Sequence, residues 1–308
     1  MDARIAVDIG GTQIRAACYP DESRIPLTQL RSSTQQPGKT PLQSMFDLIA
    51  AVWPAEARVL KIAVAAPGPI DSKLGVILAA PNIPGWYELP LKAELEKRFQ
   101  TPAAVGNDAN LAALGEYQFG AGMGHHYLLY LTISTGIGSG IIMADRLIEG
   151  AHGLGAELGH VTVLPDGPLC GCGKRGHLEA VAAGPGIARW VEEQLTNGET
   201  SSLRRDQGLS AKDVAMAAAR GDSLSLRALQ RAGTFIGYAL ADFLHIFNPT
   251  IVIFGGGVSR SGDLIFTPLR KALEERVLSP RYLQDLSLTT AALGDDAGLM
   301  GALALARN

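Results

Sequence analysis

Apolar and polar positions along the chain mark out strands, turns and helices before any single residue is considered. "RIAVDI", Arg4 to Ile9, is a short apolar run ending in "GGTQ", and the following "IRAACY" alternates with enough branched residues to read as a second strand. That predicts a hairpin with a glycine-rich turn. The same order returns at "YLLYLTI", then "STGIGSG", then "IIMAD", roughly 125 residues further on, which suggests two related halves. Between them "LKIAVAAPGPI" reads as a strand entering a Pro/Gly loop, "LPLKAELEKRF" as an amphipathic helix, "PAAVGN" as a strand end and "DANLAALGEYQF" as a helix opening at Asp108. The second half continues with helices at "SAKDVAMAAARG", opened by a capping-box pair Ser210 and Asp213, and at "ALADFLHIF", before a strand "TIVIF" runs into "GGGV". Strands alternating with helices indicate an α/β fold.

One stretch breaks the pattern. Gly150 to Gly186 holds ten glycines and little periodicity, so it buries too little to offset its ordering entropy and needs something else to hold it. Within it "LCGCGKRGHLEA" carries two of the chain's three cysteines.

Composition narrows the partners. The 308 residues, 47% hydrophobic, suffice for two cores, and a net charge of −3 with both signs interspersed invites neither nucleic acid nor anionic lipid. The start has no charged segment followed by an apolar one and a small-residue cleavage site, and no apolar run approaches the ~20 residues of a membrane helix, so the expectation is a cytoplasmic protein acting on small molecules. In that setting Cys18, Cys170 and Cys172 favour metal or thiol chemistry over a disulfide framework; a Cys170–Cys172 bridge would also be strained. Cys18, in a strand, reads as a small buried hydrophobe.

Three glycine turns follow strands: Asp8, Gly10, Gly11, Thr12 and Gln13; Ser134, Thr135, Gly136, Gly138 and Gly140; and Gly255, Gly256 and Gly257. Each alone is an ordinary tight turn, but three together, two with hydroxyls and the first with a carboxylate, point to converging backbone N–H groups around nucleotide phosphates. The Walker pattern is excluded, since in "PGKT" (Pro37 to Thr40) Ser33 stands where the first glycine belongs, and the preceding "RSSTQQ" does not read as a strand. The G-x-G-x-x-G dinucleotide spacing is absent from both hairpin turns, which lead into strands. Asp108, at a helix start where the dipole favours negative charge, suits either a catalytic carboxylate or a helix cap. Asp8 suits either an organiser of Mg²⁺ through water or a buried strand-end carboxylate bonded to its own turn.

"DIGGTQIR", "GNDANLAALGE", "STGIGSG", "GAELGHV", "CGCGKRGHLE" and "IVIFGGGV" together resemble the ROK family of bacterial sugar kinases and sugar-responsive repressors, from end to end of the chain. "APGPID", "APNIPGW" and "EGAHGLGAELGHV" are most similar to its glucokinase branch. The resemblance implies the actin/hexokinase-like, ribonuclease-H-like fold, two domains around a cleft: a small lobe of residues 1–115 plus 294–308 and a large lobe of 116–293. It implies ATP-dependent phosphorylation of glucose at its 6-hydroxyl, with N-acetylmannosamine, N-acetylglucosamine and fructose as alternative substrates, and a homodimer. A second class is a sugar-sensing regulator, against which the phosphate strand beginning by Arg4 leaves no room for a helix-turn-helix before it; a third, a non-enzymatic actin-like or chaperone ATPase, would lack the Asp108 and Glu157, His160 and Glu179 constellation.

The implied roles are these. Asp108 is the base and Asn107 binds the sugar, with Gly68, Asn82, Glu157, His160 and Glu179 completing the sugar site. ATP phosphates sit at Asp8, Gly10, Gly11, Thr12, Gln13, Thr135, Gly136 and Gly138, with Gly256 and Gly257 behind the adenosine and Mg²⁺ at the phosphates. Sugar binding closes the lobes and excludes water. His160, Cys170, Cys172 and His177 offer two imidazoles and two thiolates, enough to close a tetrahedral structural Zn²⁺ site that staples the sugar-binding loop, His160 using one ring nitrogen for metal and one for sugar. The family usually has a third cysteine where His177 stands. Spacing alone leaves a metal site and two idle thiols both open, because C-x-C is tighter than the usual zinc pair.

Overall fold

The computed structural model describes residues 1–205 and 208–308. Packing groups them into two compact units, residues 1–125 with 140–156 and 291–308, and residues 126–139 with 157–290.

The first unit begins with the expected hairpin, β1 (Asp2–Ile9) and β2 (Gln13–Pro20), followed by β3 (Thr28–Ser33) and helix α1 (Pro41–Ala51); a strand does therefore precede "PGKT", polar in sequence because it is an exposed strand paired to β2, and the Walker pattern is excluded by Ser33 alone. β4 (Arg58–Ala66) leads to a small antiparallel sheet of β5 (Ile70–Asp71), β6 (Val76–Ala79) and β7 (Tyr87–Leu89), then α2 (Leu91–Phe99), β8 (Ala103–Asn107) and α3 (Asp108–Phe119). The main sheet has the order β3-β2-β1-β4-β8, antiparallel on one side of β1 and parallel on the other. Ile5, Val7, Ile14, Ile62, Val64, Met45 and Ile49 are buried in one core. The central strands are nearly continuous apolar runs because helices cover both faces: α1 packs on β1 to β3, and α9 (Ala297–Arg307), at the far end of the chain, packs on β1, β4 and β8. The register places Ile5 opposite Cys18, Asp8 opposite Arg15 and Ile9 opposite Ile14. Cys18 is fully buried there, as its strand position predicts.

The second sheet has the order β11-β10-β9-β12-β13, from β9 (Tyr127–Ile133), β10 (Ile137–Met143), β11 (Arg146–Leu147), β12 (Ile251–Gly255) and β13 (Ser287–Thr290). β12 runs parallel to both β9 and β13, while β10 and β11 are antiparallel. The two sheets thus repeat one plan, which the two hairpin signatures announce. Helices α4 (Leu178–Ala182), α5 (Gly184–Thr196), α6 (Ala211–Ala219), α7 (Ser223–Phe247) and α8 (Asp263–Arg276) belong to the second unit. α6 is capped by Ser210 in a capping box with Asp213, as its sequence predicts. α7 reaches back to Ser223, well before the expected "ALADFLHIF". Among the described residues no helix is long and apolar enough to cross a membrane.

Candidate active site

The β1–β2 turn is braced from both sides. Gly10 N–H donates to the Gln13 carbonyl (2.9 Å), Thr34 Oγ1 donates to the Gly10 carbonyl (2.6 Å) and Thr34 N–H donates to the Thr12 carbonyl (2.9 Å). With Gly10, Gly11, Thr12 and Gln13 held in this way, the turn forms one wall of a cavity of about 850 Å³ also lined by Asp8, Arg15, Arg31, Asp108, Asp295 and Asp296. Asp8 and Arg15 face each other across the hairpin, and the guanidinium donates to Asp8 Oδ2 at 2.5 Å and to Asp296 Oδ1 at 3.2 Å. Burial pushes the Asp8 carboxyl above the usual range; Arg15 opposes the shift and the nearby Asp296 charge adds to it. The cavity therefore combines a backbone-lined turn suited to an anion with carboxylates suited to a hard cation.

Asp108 enters this cavity from the first turn of α3. The cap itself is Asn107, whose Oδ1 accepts from Ala109 N–H (3.0 Å) and Asn110 N–H (3.1 Å), which leaves Asp108 as the first helical residue. Ala109 N–H also donates to Asp108 Oδ1 at 2.8 Å. Asn107 Nδ2 donates to the Gly68 carbonyl at 3.1 Å, so Gly68, Asn107 and Asp108 lie together. Asn82 is exposed and lies against Gly11.

In the second unit the glycine-rich stretch from Glu157 to His177, ahead of α4, folds with little regular structure: a 3₁₀ turn at Leu158–His160 and isolated bridges Thr162–His177 and Leu169–Arg175. Cys170 N–H donates to the Lys174 carbonyl (2.8 Å) and Gly173 N–H to the Cys170 carbonyl (2.9 Å), curling the cysteine loop. His177 then stands directly before α4, which carries Glu179. This brings one donor atom each from His160, Cys170, Cys172 and His177 within 4.8 Å of one another. Cys170 Sγ lies 3.7 Å from His160 Nδ1 and Cys172 Sγ lies 3.2 Å from His177 Nδ1. Tetrahedral zinc with ordinary Zn–S and Zn–N bonds places its donors about 3.3–3.8 Å apart; two thiols and two imidazoles gathered within 4.8 Å are the donor set such an ion takes, with the wider pairs drawing in around it. All three cysteines are free thiols. Burial pushes the Cys170 thiol up to about 11, with the neighbouring Glu179 adding to the shift; a divalent cation among the four donors would favour the thiolate instead.

Three sugar candidates adjoin this cluster. His160 turns Nδ1 to Cys170, while its Nε2 lies 4.0 Å from Glu157 Oε2. Glu157 is raised above the usual range by burial, with the Glu179 charge adding and His160 opposing. Glu179 Oε2 accepts from Ile137 N–H (3.0 Å) at the second glycine turn, and its Oε1 accepts from the Cys170 thiol (3.4 Å). That turn is closed by Ser134 N–H donating to the Gly136 carbonyl (2.8 Å), and leaves Thr135 exposed, with Gly138 just inside β10. At the third turn, Ser259 Oγ donates to the Gly256 carbonyl (2.7 Å), and the side of Gly257 that a Cβ would occupy is open.

Sequence reasoning missed Arg15, Arg31, Asp295 and Asp296. The hairpin register carried a signal for the first, because a turn centred between Asp8 and Arg15 sets them opposite; the aspartates come from the far end of the chain, with no local sign.

Comparison with known proteins agrees with the motifs. The model of the ROK family matches residues 4–308. The chain is 37% identical over 306 residues to a glucokinase of Thermotoga maritima, covering 98% of this chain and 96% of that one. Its fold is similar to a ROK hexokinase from Thermus thermophilus (TM-score 0.84, 34% identity, covering 99% and 97% of the two chains). It is also similar to a ROK family glucokinase from Streptomyces griseus in complex with glucose and AMPPNP (TM-score 0.79, 35% identity, 99% of each chain). Two sheets on one plan, the motif set and these likenesses lead to one assignment: the chain belongs to the ROK family and has its actin/hexokinase-like two-domain α/β fold.

Proposed function

We propose that this chain is an ATP-dependent glucokinase that transfers the terminal phosphoryl group to the 6-hydroxyl of glucose. The observation that carries the reading is the presence of the Asp108 carboxylate in the same cavity as the β1–β2 glycine turn. Phosphoryl transfer asks a protein for little bond chemistry and much positioning. Asp108 accepts the proton of the attacking hydroxyl as the oxygen–phosphorus bond forms and the bond to the departing diphosphate breaks. Asn107 holds that carboxylate's backbone by capping α3 and, with Gly68 and Asn82, contributes sugar contacts. Glu157, His160 and Glu179 bind the remaining hydroxyls. Gly10, Gly11, Thr12 and Gln13, with Thr135, Gly136 and Gly138, present N–H groups and hydroxyls to the phosphates, and Gly256 and Gly257 lie behind the adenosine.

Asp8 suits a hard cation, and Mg²⁺ carried with the nucleotide would neutralise phosphate charge there. His160, Cys170, Cys172 and His177 would hold Zn²⁺, which supplies structure rather than chemistry.

The test is ADP release from ATP with glucose, mannose, fructose, N-acetylmannosamine and N-acetylglucosamine compared at matched concentrations. Glucose should give the highest kcat/KM; a higher value for either N-acetylhexosamine or for fructose would reassign the substrate, and ATP turnover with none of them would remove the kinase reading.

A further inference from the structure

Glu116 lies on α3 two turns beyond Asp108 and is fully buried, at 0% exposure. Among the described residues no lysine or arginine pairs with it. Its charge is met by main-chain donors instead: Leu293 N–H reaches Oε1 at 2.8 Å, while Ala121 N–H (2.8 Å) and Ala292 N–H (3.2 Å) reach Oε2. Its own carbonyl accepts from Gly120 N–H (3.0 Å) and Gly122 N–H (2.9 Å). A buried carboxylate is costly unless such charge-assisted bonds are complete, and here they join two separate segments, the turn after α3 and the chain just before α9.

The second of those segments continues into the 3₁₀ turn Gly294–Asp296, which delivers Asp295 and Asp296 to the cavity. Asp296 shares Arg15 with Asp8. Farther along, α3 and α9 touch backbone to backbone, where a Cβ on Gly301 would lie 1.8 Å from the Leu111 carbonyl oxygen. One helix therefore carries Asp108 at its start and, through Glu116, fixes the segment that supplies the acidic side of the same cavity.

We propose that Glu116 is a positioning residue for nucleotide binding, acting through Asp296 and Arg15. The proposal rests on the reading of this cavity as the phosphate site. Losing the carboxylate should loosen residues 292–296, let Asp296 leave Arg15 and weaken the nucleotide while leaving the sugar contacts alone.

The experiment is calorimetric titration of glucose and, separately, of AMPPNP with Mg²⁺ into wild type, Glu116→Gln, Asp296→Ala and the double variant. Glu116→Gln should lose about tenfold in nucleotide affinity with glucose affinity within about twofold, and the double variant should lose no more than the worse single one, because both act through one contact. Nucleotide affinity within about twofold of wild type in Glu116→Gln, multiplied losses in the double variant, or an equal loss of glucose affinity would each overturn it.

Gly120→Ala keeps the Glu116 side chain but sets a Cβ 2.1 Å from its Oε2, so it should give the same nucleotide-selective loss even where Glu116→Gln fails to fold. Normal nucleotide affinity in Gly120→Ala refutes the proposal. Asp8→Asn separates the two ideas. If it leaves nucleotide binding unchanged, the reading of the cavity fails; if it weakens binding while Glu116→Gln does not, only the positioning role fails.

Discussion

Asp108 and Asn107 divide two jobs that adjacent residues at a helix start usually compete for. Asn107 Oδ1 accepts from Ala109 N–H and Asn110 N–H as the cap, while Asp108, whose Oδ1 shares Ala109 N–H, begins the helix and lines the cavity. Replacing Asp108 with asparagine keeps size and hydrogen-bonding reach and removes only the basic site. Glucose binding should persist while kcat falls by roughly 10²–10⁴, the range that positioned acid–base groups contribute; calorimetry and the coupled assay together would read this, and near-normal turnover would relieve Asp108 of the role. At this scale short motifs foretold placement: "GNDAN" puts Asn107 and Asp108 at the start of α3, and "CGCGKRGH" brings Cys170, Cys172 and His177 together. It was illegible at Asp295 and Asp296, whose neighbours in space are almost the whole chain away, and at Glu116, whose partners are backbone groups that no motif records.

Among the elements, α3, buried nearly all round from Ala109 to Glu116, was readable end to end because a strand end, a helix-starting Asn-Asp pair and an Ala/Leu-rich run coincide. α7 was not, since Gly233 and Gly237 lower helix propensity by about 1 kcal/mol each relative to alanine. In the fold those glycines are where α8 approaches: a Cβ on Gly233 would meet the Ile265 carbonyl oxygen at 2.5 Å and one on Gly237 the Leu269 carbonyl oxygen at 2.4 Å. Tertiary packing overrides local preference there. The start of α7 is set by Asp222, which accepts from Ser225 N–H (2.8 Å), Ser202 N–H (2.6 Å) and Ser201 Oγ (2.9 Å). Burial pushes its carboxyl up, but these hydrogen bonds outweigh that and hold it well below the ordinary value of 3.8. A depressed carboxylate adds stability that is present above its unfolded value and disappears as pH falls through the folded one. Asp222→Ala should therefore cost about 1–2 kcal/mol at neutral pH by urea unfolding, with the gap to wild type narrowing below about pH 4.

On the scale of the whole molecule, the repeated sheet plan was visible in the two strand–glycine turn–strand signatures, whereas the long glycine-rich stretch could be recognised only as needing support. On the proposed reading that support is a metal held by the four clustered donors, since a metal bound only by the folded form adds its binding energy to folding. Metal analysis should return about one zinc per chain, and stripping it should lower the melting temperature by roughly 5 °C or more. An equally stable stripped protein would show that the loop stands without it.

The position of α9 bears on the order in which this protein assembles. β1, β4 and β8 are made early, but the helix that covers one of their faces comes from residues 297–307, after the entire second unit has been synthesised. During translation the early strands must wait with apolar side chains uncovered, while residues 157–290 are free to condense ahead of them. The interval before that last helix emerges is when nascent chains are most exposed to aggregation, and when a chaperone would have most to protect.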